Sequence, residues 1–396
     1  MLMASENSYD DGDYDFDFPV SPGGPYWKIP NPELVMQYFT VLKISGSPYV
    51  LLVDTGSSLT WIQCLPCDPC FNQVAAPIFD PRRSLTYKVR YCGDHTSYKS
   101  PCRGCNERGE CTYSIVYGDK SYSRGVMGEE VCRFGLKNDI EMTFPMGCAH
   151  NSSRDGSFNG SDGVLGLGRG ELSFASQIDR KYGFKKFSYC LLDKSMTAEP
   201  SVLSSLTFGP HVLDQENDVV YTPMIQNPNS PRHYFINLTS ISVAGKLIPI
   251  QTTSLPHGIL VDSGTVLTWL PRLTYEAVRD SYRDAALQLN WERVDDQYLE
   301  TCYDLGAYIG ERGIDWVTAP EVILYFAGYD DKAVEIKLRT QNVLFTYPWI
   351  RNDIYCLALL PSESEGTAIL GNVQQQGIRV VYDNVQSAIG FDVLSC

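Results

Sequence analysis

Leu52-Val-Asp54-Thr-Gly56-Ser-Ser-Leu-Thr-Trp61-Ile62 returns further along the chain as Leu260-Val-Asp262-Ser-Gly264-Thr-Val-Leu-Thr-Trp269-Leu270. Seven of the eleven positions are identical, and Thr/Ser, Ser/Thr and Ile/Leu exchanges account for three of the other four. The copies stand 208 residues apart in a chain of 396. A second matching pair, Gly163-Val-Leu-Gly166 and Ala368-Ile-Leu-Gly371, follows them in the same order. Repetition at about half the chain length predicts a duplicated domain, with the boundary near Gly209 to Asp218.

The texture around the repeats is that of strands. Tyr38-Phe-Thr-Val-Leu-Lys-Ile44 alternates and is rich in β-branched and aromatic residues, Ser45-Gly-Ser-Pro48 reads as a turn, and Tyr49-Val-Leu-Leu-Val53 reads as a second strand. Helical patterns are few: Leu172 to Lys181, Thr274 to Leu289 and a short one near Asn372 to Gly377. The expected fold is mostly β. Residues 1–30 are rich in Asp, Pro and Gly and are expected to be disordered. The first lobe is expected over 31–212 and the second over 213–396.

Each repeat sets an aspartate between an apolar strand and a Thr/Ser-Gly turn. Gly56 and Gly264 allow backbone to approach Asp54 and Asp262 closely and to donate N–H bonds to them. Two carboxylates brought together by such a duplication share one proton, because ionising both is costly. Such a pair activates water and protonates a substrate oxygen without a metal or cofactor, and it titrates as a unit.

Composition narrows the function classes. Hydrophobic residues make up 43% and charged residues 20%, so the chain has the makings of packed cores. The 47 acidic and 32 basic side chains give a net charge of −15, which repels phosphate backbones and argues against nucleic acid as a partner. No apolar run is long enough to span a membrane. No H-E-x-x-H and no G-x-S-x-G occurs, so the usual signatures of zinc and serine hydrolases are missing. Gly166-x-Gly168-x-Gly170 lacks the βαβ context of a nucleotide loop and reads as a tight turn beside the first Asp strand.

Thirteen cysteines, Cys64, Cys67, Cys70, Cys92, Cys102, Cys105, Cys111, Cys132, Cys148, Cys190, Cys302, Cys356 and Cys396, are all disulfide candidates. Their density favours an oxidising compartment over a zinc knuckle, and the odd count leaves at least one thiol outside any internal bridge. Sequons at Asn151, Asn159 and Asn237 are candidate glycosylation sites. A secretory route, ending outside the cell or in the vacuole, is expected, although no signal peptide is visible ahead of the first strand.

Further motifs tie the chain to a family. Cys111-Thr-Tyr-Ser-Ile-Val-Tyr117-Gly-Asp119, Phe144-Pro-Met-Gly-Cys148, Gly163-Val-Leu-Gly-Leu-Gly-Arg-Gly170 and Phe187-Ser-Tyr-Cys-Leu191 stand in the first half. Cys302-Tyr-Asp-Leu305, Ile369-Leu-Gly-Asn-Val-Gln-Gln-Gln-Gly377 and the terminal Gly390-Phe-Asp-x-x-x-Cys396 stand in the second. Together with the two Asp repeats, over Tyr38 to Cys396, the chain resembles the pepsin-like aspartic proteases, in particular the cysteine-rich plant branch that includes the nepenthesins.

The resemblance implies a bilobal double β-barrel with pseudo-twofold symmetry and an active-site cleft between the lobes. It implies a monomeric aspartic endopeptidase that hydrolyses extended peptide or protein substrates in acid, with Asp54 and Asp262 catalytic. Thr55 and Ser263 would bond reciprocally beneath them, and Ser57 and Thr265 would hold the outer carboxylate oxygens. Tyr117, Gly118 and Asp119 would form the flap, with Trp61 holding the Tyr117 hydroxyl. Cys64 to Cys111 would be the branch's disulfide-rich insert, and Cys302 would pair with Cys356. Two departures bear on function: Lys120 stands where the flap usually has a second glycine, and Ile44-Ser-Gly-Ser-Pro-Tyr49 is shorter than the family's turn. Some proteins of this fold are noncatalytic binding proteins that inhibit xylan-degrading enzymes, and this is the alternative reading.

Overall fold

The computed structural model describes residues 16–22, 37–73, 75–94, 102–135, 140–158, 160–192, 204–209, 212, 219–310, 313–330, 332–346, 353–364, 366–393 and 396. Strands dominate, as the alternating sequence requires. Tyr38–Ile44 and Ser47–Asp54 make a hairpin in which Ile44 stands opposite Ser47. The connecting Ser45 and Gly46 have φ of 50° and 82°. Positive φ at both central residues gives the tight turn whose twist matches the flanking strands. Ser47 and Pro48, expected in the turn, belong to the second strand, so the shortened loop is a minimal hairpin.

Strand Gly163–Gly166 runs parallel to Ser47–Asp54, with Gly166 opposite Asp54, and antiparallel to Trp61–Gln63. The second half repeats the arrangement. Ile369–Leu370 runs parallel to Ile259–Val261 and antiparallel to Thr268–Leu270. The sequence repeat is therefore a repeated three-strand unit, and in each unit a buried apolar strand leads into an aspartate.

One antiparallel ladder joins the two halves. Phe16–Pro22 pairs with Ser204–Phe208, then in turn come Lys186–Cys190, Arg379–Asp383, Ala388–Asp392 and Val220–Ile225. Phe187 stacks on Tyr382 at 4.4 Å and 4°, with Tyr234 edge-on to Tyr382 at 4.5 Å. This aromatic layer lies beneath the turn that carries Asp54, because the Tyr382 hydroxyl donates to Thr55 Oγ1 at 3.4 Å. Strand Phe16–Pro22 corrects the expectation of disorder for that part of residues 1–30. Its partners, residues 38–40 and 204–208, are remote in sequence, so the local Asp-rich composition conceals the pairing. The rest of residues 1–30 and most of the expected domain boundary lie outside the described residues.

Helix Phe174–Tyr182 begins at Ser173, whose hydroxyl accepts from the Ser176 N–H, and ends at Gly183 in the left-handed region at φ 76°. Arg272–Gln288 follows Pro271 and buries Thr274, Tyr275, Val278, Tyr282 and Ala286, the spacing of one helical face. Near Asn372 the chain makes only a short 3₁₀ turn, Asn372–Gln375. Among the described residues no helix is long and apolar enough to cross a membrane.

Six disulfides form: Cys64–Cys148, Cys67–Cys70, Cys92–Cys105, Cys102–Cys111, Cys190–Cys396 and Cys302–Cys356. Such a set fits an oxidising, secretory-pathway environment. The Cys302–Cys356 pair is the one the resemblance implies. Cys132 is corrected as a disulfide candidate: it is free and fully buried, and burial pushes its thiol far above the ordinary range. Asn151 lies within strand Ile140–Ser152 and Asn237 between two paired strands, both half-buried rather than on exposed loops where glycans are carried. Asn159 lies outside the described residues.

Candidate functional site

The backbone N–H of Gly56 donates to Asp54 Oδ1 at 2.8 Å, and that of Gly264 donates to Asp262 Oδ1 at 2.8 Å. Each glycine also packs against the other carboxylate. A Cβ on Gly56 would fall 2.6 Å from Asp262 Cγ, and one on Gly264 would fall 2.5 Å from Asp54 Oδ1. No side chain fits at either place, and the two carboxylates are therefore brought face to face. Asp54 is 5% exposed and Asp262 8%. Burial and then the Asp262 charge push the Asp54 carboxyl well above its ordinary range, as two facing carboxylates that share one proton require.

Beneath the carboxylates the chain makes reciprocal bonds. The Thr55 N–H donates to Ser263 Oγ and the Ser263 N–H to Thr55 Oγ1, each at 3.0 Å. Their hydroxyls go on to the carbonyls of Val261 and Val53, at 3.1 and 2.8 Å. Thr265 Oγ1 donates to Asp262 Oδ2 at 2.7 Å. The Ser57 hydroxyl lies beside Asp54 and, as a hydrogen-bond donor to it, favours its ionised form, against the larger effects of burial and the Asp262 charge.

Hairpin Cys111–Val116 with Tyr122–Phe134 reaches over this site. Trp61 is fully buried, and its Nε1–H donates to the Tyr117 hydroxyl at 2.7 Å. At the tip the Lys120 N–H donates to the Tyr117 carbonyl and the Tyr117 N–H to the Ser121 carbonyl, with Lys120 at φ 70°. This is a turn whose last residue takes the left-handed conformation that glycine fills most easily, so the lysine carries backbone strain. Gly118, Asp119 and Lys120 are exposed, and the Asp119 carboxylate accepts from the Ser121 N–H.

Several supporting residues were not singled out from the sequence. Phe158 stands edge-on to Trp61 at 5.0 Å and to Tyr117 at 5.4 Å, closing the aromatic wall. Gln375 Nε2 donates to the carbonyls of Leu370 and Asp262, and Asn372 Nδ2 to that of Ser263. Tyr189 bonds both Gln375 and Tyr382. The run of Asn and Gln in an otherwise apolar stretch was the available signal. Asp54, Asp262, Tyr117, Lys120, Trp269 and Leu360 line one cavity of about 2170 Å³.

Residues 38–210 match the family described as "Xylanase inhibitor N-terminal" and residues 233–393 the one described as "Xylanase inhibitor C-terminal". The chain belongs to the cysteine-rich, pepsin-like plant family that spans aspartic proteases and xylanase inhibitors. Within that family it is 37% identical to Aspartyl protease family protein 2 of Arabidopsis thaliana, over 91% of this chain and 71% of the relative. It is 32% identical to Aspartic proteinase nepenthesin-1 of Nepenthes gracilis, over 89% and 76%. Among solved structures it shares the pepsin-like fold with basic 7S globulin from soybean, at a TM-score of 0.71 and 17% identity, covering 97% of each chain. Conglutin gamma from lupine seeds aligns with a TM-score of 0.67 at 18% identity, covering 96% of this chain and 95% of that one.

These findings correct the expectation of an aspartic endopeptidase. Both halves match families described as xylanase inhibitor, over residues 38–210 and 233–393. The expectation of peptide-bond hydrolysis falls with it. The physical reason is that the residues holding two carboxylates together belong to the fold, which the family uses in proteases and in inhibitors alike, so they do not by themselves fix an activity.

Proposed function

We propose that the chain is a noncatalytic, xylanase-inhibitor-like binding protein that grips a segment of a partner polypeptide. In this reading it is a bilobal monomer, with lobes over 31–212 and 213–396, a cleft between them, and a place of action outside the cell or in the vacuole. The observation that carries the reading is the match of both halves to xylanase inhibitor families.

The geometry supplies the gripping groups. With one proton shared between them, Asp54 and Asp262 offer a donor and acceptors to the backbone of an extended segment. Tyr117, Gly118 and Asp119 cover it, with Tyr117 fixed by Trp61. Lys120 at the flap tip takes a left-handed backbone that a lysine adopts at a cost, which stiffens the cover over the held segment.

Mixing the protein with a xylan-degrading enzyme and measuring the complex by light scattering and intact mass tests this. One-to-one association with both chains whole is expected. Free partners, or fragments of the enzyme, would overturn the reading.

A further inference from the structure

Among the described residues four cations on the cavity wall have no ion partner: Arg103, Lys120, Arg169 and Arg232. Lys120, Arg169 and Arg232 all line the cavity that holds the two aspartates. Among the described residues none of the three makes a salt bridge or a side-chain hydrogen bond, although Asp119 and Glu171 line the same space. In a chain with 47 acidic side chains to 32 basic, four unpaired cations along one cavity are not explained by surface composition, and three of them, Lys120, Arg169 and Arg232, come from the flap tip and from the loops locked beside Asp54.

Two of the three are held in place beside Asp54. The Leu167 N–H donates to the Asp54 carbonyl at 2.8 Å and the Gly168 N–H to the Ser57 carbonyl at 2.7 Å. The Arg169 N–H then donates to the Arg232 carbonyl at 2.7 Å, and the Gly170 N–H to Ser58 Oγ at 3.1 Å. A Cβ on Gly168 would fall 2.6 Å from Ser58 Oγ, and one on Gly170 would fall 2.6 Å from Ser58 Cβ. The Gly166-x-Gly168-x-Gly170 turn is thus locked against the Asp54 loop and against Arg232, and it delivers Arg169 to the wall. Lys120 comes from the flap tip, on a different element, held there at a positive φ.

We propose that Lys120, Arg169 and Arg232 form a carboxylate-binding subsite, which selects polypeptide segments carrying an acidic side chain next to the part held over Asp54 and Asp262. This rests on the polypeptide-binding reading above. Guanidinium groups suit the task because their planar donors meet a carboxylate two at a time.

The test uses three labelled peptides of one extended sequence, with Glu, Gln or Lys on either side of a central Phe-Leu, and follows anisotropy at pH 6. The Glu peptide should bind about fivefold to tenfold tighter than the Gln peptide, the yield of two or three partly screened ion pairs. Arg169→Gln with Arg232→Gln should bring that ratio close to one, and Lys120→Gln alone should lower it in part. Both arginines and Lys120 are at least partly exposed, so thermal melts should match those of the unchanged protein. Equal binding of Glu and Gln peptides, or a preference that survives the double substitution, overturns the subsite alone. If none of the three peptides binds, the polypeptide-binding reading fails and the subsite with it.

Discussion

Thr55 and Ser263 are each other's hydrogen-bond acceptors: two fully buried residues 208 positions apart, each taking the other's backbone N–H at 3.0 Å. This pair fixes where the two Asp turns meet. Ser263→Ala would strand the Thr55 N–H away from water and should cost about 1–3 kcal/mol, read by denaturant unfolding. Ser263→Thr, which keeps the hydroxyl and copies the residue found in the other repeat, should recover most of that loss. Equal losses for Ala and Thr would mean that packing, not the bond, holds the turns together.

Proton binding gives a second prediction. Asp54 titrates above its ordinary 3.8 because burial and Asp262 disfavour its charge. In the folded state it holds its proton to higher pH than in the unfolded chain, so from about 3.8 upward the folded form binds more protons and stability falls as pH rises. Asp54→Asn removes a group that is costly to ionise. The variant should melt above the unchanged protein at pH 7, and the gain should shrink toward pH 3. A gain confined to acid would reverse the sign and contradict the burial argument.

Much of this site could be read from the chain because each feature is local and occurs twice. An apolar strand, an Asp and a Thr/Ser-Gly turn imply the same geometry at Asp54 and at Asp262, and Trp61 lies seven residues on. Phe16–Pro22 could not be read in the same way, because its partners lie about 20 and 190 residues away and only the folded sheet joins them. Cysteine spacing likewise leaves open which thiol stays single. What separates binding from cleavage was not legible at all, since identical aspartates serve either.

The thiol count offers a direct check on the disulfide pattern. Thirteen cysteines with six bridges leave Cys132 alone, buried and disfavoured as a thiolate. A thiol reagent should find no reactive group in the native protein and one after unfolding without reductant. One reactive thiol in the native state would place the free cysteine elsewhere.

Flap strain leads to a further prediction. Lys120 sits at φ 70°, where a side chain costs about 1–2 kcal/mol relative to glycine. Lys120→Gly should therefore stabilise the hairpin tip and slow hydrogen exchange at the Tyr117 and Lys120 amides. Lys120→Val, which is β-branched, should speed it. The reverse order would show that the tip is not strained by its backbone.

The central claim is that the Asp54–Asp262 site holds polypeptide without cutting it. The direct measurement incubates the folded, fully oxidised protein with an unfolded protein from pH 2.5 to 7 and follows both association and fragments by mass spectrometry, with Asp54→Asn alongside. The account predicts association with no fragments at any pH. Fragments that peak in acid and vanish in Asp54→Asn would contradict it and make the pair a working protease.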